Sequence, residues 1–156
     1  MRVVVQRVTR AELRVVEANA ERVRAGFGPG VVAFVGVAAG DTEADAQWTG
    51  GKLASLRIFE DPEGKMNLGL PEVDGSGVLV VPNFTVAGSV QKGRRPDFTG
   101  AMNPPEAERL FNLVVECVRN GLAGTGVRVE TGVFGAHMHV HLTNDGPVTM
   151  VLESPG

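Results

Sequence analysis

With one cysteine in 156 residues, Cys117 has no internal partner and an internal disulfide is excluded. It lies within an apolar helical pattern and reads as a reduced, buried thiol without a catalytic role. No apolar stretch approaches the roughly 18 to 20 residues of a membrane-spanning helix, so no membrane role is expected. The opening MRVVVQRVTR alternates like a half-buried strand where a signal peptide would carry a continuous apolar core. The expected compartment is therefore cytoplasmic. Neither sign of charge dominates: 15 Lys and Arg stand against 18 Asp and Glu, a net −3 that argues against coating nucleic acid non-specifically. A local basic patch remains open to an RNA backbone. QKGRRPDF, with Lys92, Arg94 and Arg95, is one such stretch, although taken alone such a trio is more often a solvated loop. The common catalytic signatures are missing too: no G-x-S-x-G elbow, no P-loop, no G-x-G-x-x-G opening a helix and no paired cysteines for zinc.

What is present is an ordinary globular composition, 43% hydrophobic and 21% charged, in a length suited to a single domain over 1–156. Residues 1–8 alternate as a strand, and ELRVVEANAERVRAGFG reads as a hairpin turning near Asn19. GVVAFVGVA (30–38) and GVLVVPNFTVAG (77–88) are apolar and β-branched, as strands buried on both faces would be, the second broken by Pro82. A helix is expected over about 43–56, where Ala46, Leu53 and Leu56 share a face that Gly50 and Gly51 weaken. A second begins at Asn103 as N-cap with Pro104 in its first position. Its stripe of Ala107, Leu110, Phe111, Val114 and Val118 ends near Gly121. Seven or more strands and two helices without βαβα alternation predict an α+β fold: two helices packed against a curved, largely antiparallel sheet or barrel.

Two clusters invite chemistry. His137, His139 and His141 alternate along a predicted strand, so they share a face at about 6.5 to 7 Å spacing. Neighbouring members of the set could share a zinc ion, but the outer pair is too far apart to join them without a third ligand from elsewhere. A solvated histidine face is the better reading, and no metal is assigned. Thr85 lies at the end of the second apolar run, and its hydroxyl could be a nucleophile or a hydrogen-bond donor, yet no partner base is visible.

The strings VVQRV, GDTEADA with LRIFEDPEGKMN, LVVPNFTVAGSVQKGRRPDFTGAMNPPEAERLF, VETGVFGAHM and LTNDGPVTM together resemble, in order and spacing, the D-aminoacyl-tRNA deacylases over essentially the whole chain. The resemblance implies a cytoplasmic homodimer that needs no cofactor. It would hydrolyse the ester between a D-amino acid, or glycine, and the 3′ end of tRNA, recycling mischarged tRNA as translational quality control. It also implies that Gly146 and Pro147, joined by a cis bond, reach from one subunit into the other's active site. There they would form a wall that admits hydrogen at the substrate α-carbon and rejects a side chain. By the same resemblance Phe84 and Thr85 match pocket residues, Arg7 supports the Gly-Pro segment and Phe134 lines the pocket; backbone N–H groups near Phe84 and Thr85 are the candidate oxyanion donors. Asn83, Phe84 and Thr85 are the catalytic candidates, Thr85 more as a pocket residue than as an acyl acceptor. Gly146, Pro147, Arg7, Pro82 and Phe134 are the substrate-binding candidates.

The chain departs from the family where Pro82-Asn83 replaces Ser-Gln, removing a hydroxyl and an N–H and shortening an amide. A sister group that edits L-alanine on threonine tRNA is similar in having proline there, whereas Phe84 and GPVT resemble the D-specific group. An inactive RNA-binding dimer is the other alternative.

Overall fold

The computed structural model describes residues 1–18, 20–91 and 93–156, so the turn expected at Asn19 and the Lys92 member of the basic trio lie outside the described residues. In chain order the elements are β1 (Arg2–Glu17), β2 (Ala20–Phe27), β3 (Gly30–Gly36), α1 (Glu43–Ser55), β4 (Arg57–Glu60), β5 (Met66–Gly69), β6 (Gly77–Pro82), α2 (Pro104–Gly121), β7 (Arg128–Thr131) and β8 (Met138–Glu153). Short 3₁₀ turns occupy Leu70–Glu72 and Phe84–Ala87. Both helices fall where the sequence places them.

The main sheet runs β2-β1-β3-β6-β7, with β8 on the free side of β1. β1 pairs antiparallel with β2, β3 and β8, whereas β3–β6 and β6–β7 are parallel. The sheet is thus mixed: three of its five pairings are antiparallel, in keeping with the curved, largely antiparallel sheet expected from sequence, and two are parallel. The reason is topological: parallel neighbours require long crossovers, and α1 and α2 lie in those two connections. Crossovers of one hand progressing in one direction put both helices on the same sheet face. The sheet curls until β2 and β7, at opposite ends of its path, come into contact, giving a barrel-like α+β fold.

Two cores follow from strand alternation. Val31, Ala33, Val35, Val78 and Val80 face the helices, meeting Leu53 of α1 and Leu110, Phe111 and Val114 of α2. Val32, Leu79 and Val81 face the other way, with Leu13 and Phe27. β3 and β6 are therefore buried on both sides, as their unbroken apolar runs predict. Along β1 the parity changes: Val3 and Val5 belong to the helix-facing core, but Ala11, Leu13 and Val15 to the opposite one. Irregularities in the β1–β8 ladder on both sides of Val8 absorb that change. Arg7 shares the parity of Val3 and Val5, and its side chain is directed inward and buried.

At the start of α1 the Asp45 carboxylate accepts hydrogen bonds from the Thr42 N–H (2.9 Å) and hydroxyl (2.7 Å). The Ser154 hydroxyl, and then these Thr42 donors, hold that carboxyl well below its usual range. Cys117, on α2, is half-buried, and desolvation pushes its thiol pKa up, which disfavours thiolate chemistry.

Candidate active site

The C-terminal ends of the parallel strands β3 and β6 open onto a cavity of about 680 Å³, within the range of small-ligand sites. Phe34, Val81 and Pro82 come from the strand ends, Asn83 and Phe84 from the turn that follows, and Phe134 from the segment after β7. Among the described residues no charged side chain lines it, and His137 is the one ionisable neighbour.

Pro82 ends β6 because proline cannot donate to a ladder. Its nitrogen faces the β7 side, beyond the last β6–β7 pair Val80↔Thr131, where a Cβ on Gly132 would stand 2.8 Å from Pro82 Cδ; toward β3 the ladder continues undisturbed, the Asn83 N–H donating to the Val35 carbonyl at 2.8 Å. Asn83 then caps the 3₁₀ turn: its Oδ1 accepts from the Thr85 N–H (3.2 Å) and from the Thr85 hydroxyl (2.7 Å). Gly36 lets the turn lie against β3, since a Cβ there would stand 2.7 Å from the Ala87 nitrogen. Phe84 is held half-exposed, 51%, with its ring 5.2 Å from that of Phe98. Phe134 is braced by Phe111 at 6.3 Å.

Thr85 is therefore not a strand residue. It sits in the turn, exposed, outside the cavity lining, and its hydroxyl donates to an amide oxygen instead of a base. Of the two backbone donors expected near Phe84 and Thr85, the Thr85 N–H is taken by Asn83. The Phe84 N–H opens the turn, where no intrahelical acceptor exists.

Gly146, Pro147 and Arg7 are brought together, but not at this cavity. The Gly146–Pro147 bond is cis. Between the pairs Gln6↔Thr149 and Val8↔Asn144, β8 passes residues 145–148 against Arg7 alone, so the dipeptide rides on a wide bulge. A proline on that bulge interrupts nothing in the ladder. Asn144 closes the base: its Nδ2 donates to the Arg7 carbonyl (2.9 Å) and the Val148 carbonyl (3.0 Å), and its Oδ1 accepts from the Thr149 hydroxyl (3.2 Å). Beneath lies Arg7, whose Nη1 donates to the Ile58 carbonyl at 2.8 Å. Its Nε stands 3.0 Å from Asp145 Oδ2 in a poorly directed ion pair that leaves the N–H without a hydrogen-bond partner. Gly146 and Pro147 themselves are exposed.

Two of the histidines stay together and the third lies apart. β8 begins at Met138, so His137 precedes it at the cavity, while His139 bonds Glu21 at 2.7 Å and meets the His137 ring edge-on at 5.1 Å. His141 lies by Arg10 and Arg14. Among the described residues no group of three His, Cys, Asp or Glu gathers as a metal site. Sequence reasoning missed His137 as a cavity residue and Asn144 as the bulge's staple. Asn144 did lie inside the quoted LTNDGPVTM, where an amide two residues before Gly-Pro was the available signal.

Fold and site together define an α+β protein with an uncharged, aromatic-walled cavity at its parallel strand ends and a separate, rigidly based Gly-Pro projection. The chain belongs to the D-Tyr-tRNA(Tyr) deacylase family, whose model matches residues 4–153. It is 52% identical over 154 residues to a D-aminoacyl-tRNA deacylase of Anaeromyxobacter dehalogenans (strain 2CP-C), covering 99% of this chain and 97% of that one. It is 47% identical to another from Thermotoga petrophila, with the same coverage. A solved structure of a protein named c-Myc DNA Unwinding Element Binding Protein superposes with a TM-score of 0.86 at 36% identity over 100% of both chains. One described as a probable eukaryotic D-amino acid tRNA deacylase shares the fold, with a TM-score of 0.72 at 21% identity over 97% of both chains.

Proposed function

We propose that this chain is a cytoplasmic, homodimeric D-aminoacyl-tRNA deacylase that cleaves the ester of a D-amino acid, or of glycine on a non-cognate tRNA, at the 3′ end of tRNA. The full-length match to relatives of that name carries the reading. The neutral cavity agrees with it. An aminoacyl ester is already activated, so orientation, a placed water and donors to the tetrahedral oxyanion suffice. The Phe84 N–H is the candidate backbone donor. Asn83, with its oxygen committed to Thr85, has Nδ2 hydrogens left to offer. The 2′-hydroxyl of the terminal ribose helps to activate the water.

Handedness is judged by exclusion. Gly146 and Pro147 of one subunit stand over the partner's cavity and meet the substrate α-carbon, hydrogen for a D-residue and carbon for an L-residue. Each factor of ten requires about 1.4 kcal/mol, so a clash of several kcal/mol discriminates by thousands. The exposure of the dipeptide, its distance from the lining of its own cavity and its fixed base support this role.

The test is deacylation of matched D- and L-aminoacyl-tRNA, with a chelator present. Release of the D-amino acid alone is expected. Equal turnover of both refutes the filter, and turnover of neither leaves an RNA-binding dimer. L-alanine on threonine tRNA is the third substrate, because Pro82 resembles the sister group: its hydrolysis with D-substrates untouched would reassign the specificity.

A further inference from the structure

The loop from Gly88 to Asn103 joins the Phe84 turn to α2 and borders the cavity through Met102. Its base is pinned. Ser89 and Asp97 exchange backbone hydrogen bonds of 2.8 Å, the Ala39 N–H donates to the Gly100 carbonyl at 2.8 Å, and the Met102 N–H donates to the Val37 carbonyl at 3.0 Å. Phe98 stacks on Phe84, and Gly88 makes room for it, since a Cβ there would lie 2.6 Å from the Phe98 ring. The projecting end carries Arg94 and Arg95, both exposed.

Among the described residues neither arginine has an ion-pair partner. The nearby Asp97 carboxylate instead accepts from the Thr99 N–H at 2.9 Å, within its own turn. Among the described residues Arg2, Arg7, Arg14 and Arg109 have carboxylate partners, whereas Arg10, Arg22, Arg24, Arg57, Arg119 and Arg128, like Arg94 and Arg95, have none; what sets Arg94 and Arg95 apart is that they are adjacent, exposed and carried by the loop that borders the cavity. A chain of net charge −3 repels a polyanion on average, so an RNA substrate needs local cations where it approaches. The uncharged cavity supplies none.

We propose that Arg94 and Arg95 form a phosphate clip for the single-stranded 3′ end of the tRNA whose terminal aminoacyl nucleotide occupies the cavity, an assignment that rests on the deacylase reading. The Phe84–Phe98 stack and the Ser89–Asp97 pairing tie the base of this loop to the turn that carries the oxyanion donor, so backbone and ester are gripped from neighbouring segments. Guanidinium groups suit phosphate oxygens by their paired donors.

The test compares Arg94→Ala/Arg95→Ala with the native protein on D-aminoacyl-tRNA and on a D-aminoacyl ester of adenosine, which has no phosphate. The expected result is a KM for tRNA raised about tenfold or more, kcat within about twofold, and unchanged hydrolysis of the adenosine ester. The slope of log KM against log salt should flatten by about 1.4, from about 0.7 per phosphate contact on a single strand. Arg119→Ala/Arg128→Ala is the charge-matched control. Arg119 is near the far end of α2 from Pro104, and Arg128 pairs with the far end of β6 from Pro82. An unchanged KM for tRNA, an equal rise in the control, or an equal loss on the adenosine ester overturns the clip. If the native protein cleaves neither ester, the deacylase reading fails instead. Fluorescence anisotropy with uncharged tRNA then decides, an unchanged Kd in the double variant refuting the clip.

Discussion

Gly146 adopts φ +114°, and a Cβ there would lie 2.8 Å from Val148 Cγ2, 2.9 Å from the Val148 nitrogen and 3.3 Å from Arg7 Nη2. Backbone and a buried guanidinium cannot retreat, so Gly146→Ala must displace the bulge, at about 1 to 3 kcal/mol of strain. Deacylation of D-aminoacyl-tRNA is expected to fall at least about a hundredfold, with the melting temperature lowered by only a few degrees. Steady-state rates and thermal melts on the same preparation check this. Thr85→Ala is the contrasting case. Its hydroxyl donates to Asn83 and does not reach the cavity lining, so its loss costs one hydrogen bond, about 1 kcal/mol. Activity is expected to persist within about tenfold. Complete loss with tRNA binding intact would restore a nucleophilic threonine.

Gly50 and Gly51 weaken the amphipathic pattern of α1 in sequence, and the structure gives them opposite roles. A Cβ on Gly50 would stand 2.5 Å from Cys117 Cβ and 2.7 Å from the Val114 carbonyl oxygen, whereas one on Gly51 meets nothing within 4 Å. Gly50 is where α2 crosses, and Gly51 faces solvent. Gly50→Ala is therefore expected to destabilise by about 1 to 3 kcal/mol through overpacking, and Gly51→Ala to stabilise by about 0.5 to 1 kcal/mol through helix propensity, both read by denaturant unfolding. The same contrast shows what was legible beforehand. β3 and β6 announce themselves because residues on both of their faces are apolar, and α2 because Asn103, Pro104 and its stripe agree. The parallel pairing was not legible, since which strands flank a crossover is a tertiary choice. Nor was the inward turn of Arg7, which depends on where β1 changes parity. Among the candidate site residues, Pro82, Asn83, Phe84 and Phe134 meet at one cavity, while Gly146, Pro147 and Arg7 assemble elsewhere, a division that local pattern does not encode.

At the scale of the whole molecule that division carries a consequence. On the proposed reading, in which Gly146 and Pro147 of one subunit meet the substrate in the partner's cavity, each working site needs two copies of the chain. A two-fold axis completes both sites at once. The mass in solution is then expected to be twice the 16.4 kDa of the chain by analytical ultracentrifugation. The sharper test is complementation. Phe134→Trp fills the cavity against the Phe111 ring, and Gly146→Trp disables the projection; each variant alone is expected to be inactive. After the two are unfolded together and refolded, half of the dimers pair one chain of each kind. In those, the intact projection of the first chain stands over the intact cavity of the second. Activity should return to about a quarter of the native value, because half of the dimers then hold one working site of two. If every chain served its own cavity, mixing would restore nothing. A monomeric mass, or a silent mixture of variants shown to exchange, would therefore exclude the shared site while leaving the family assignment in place.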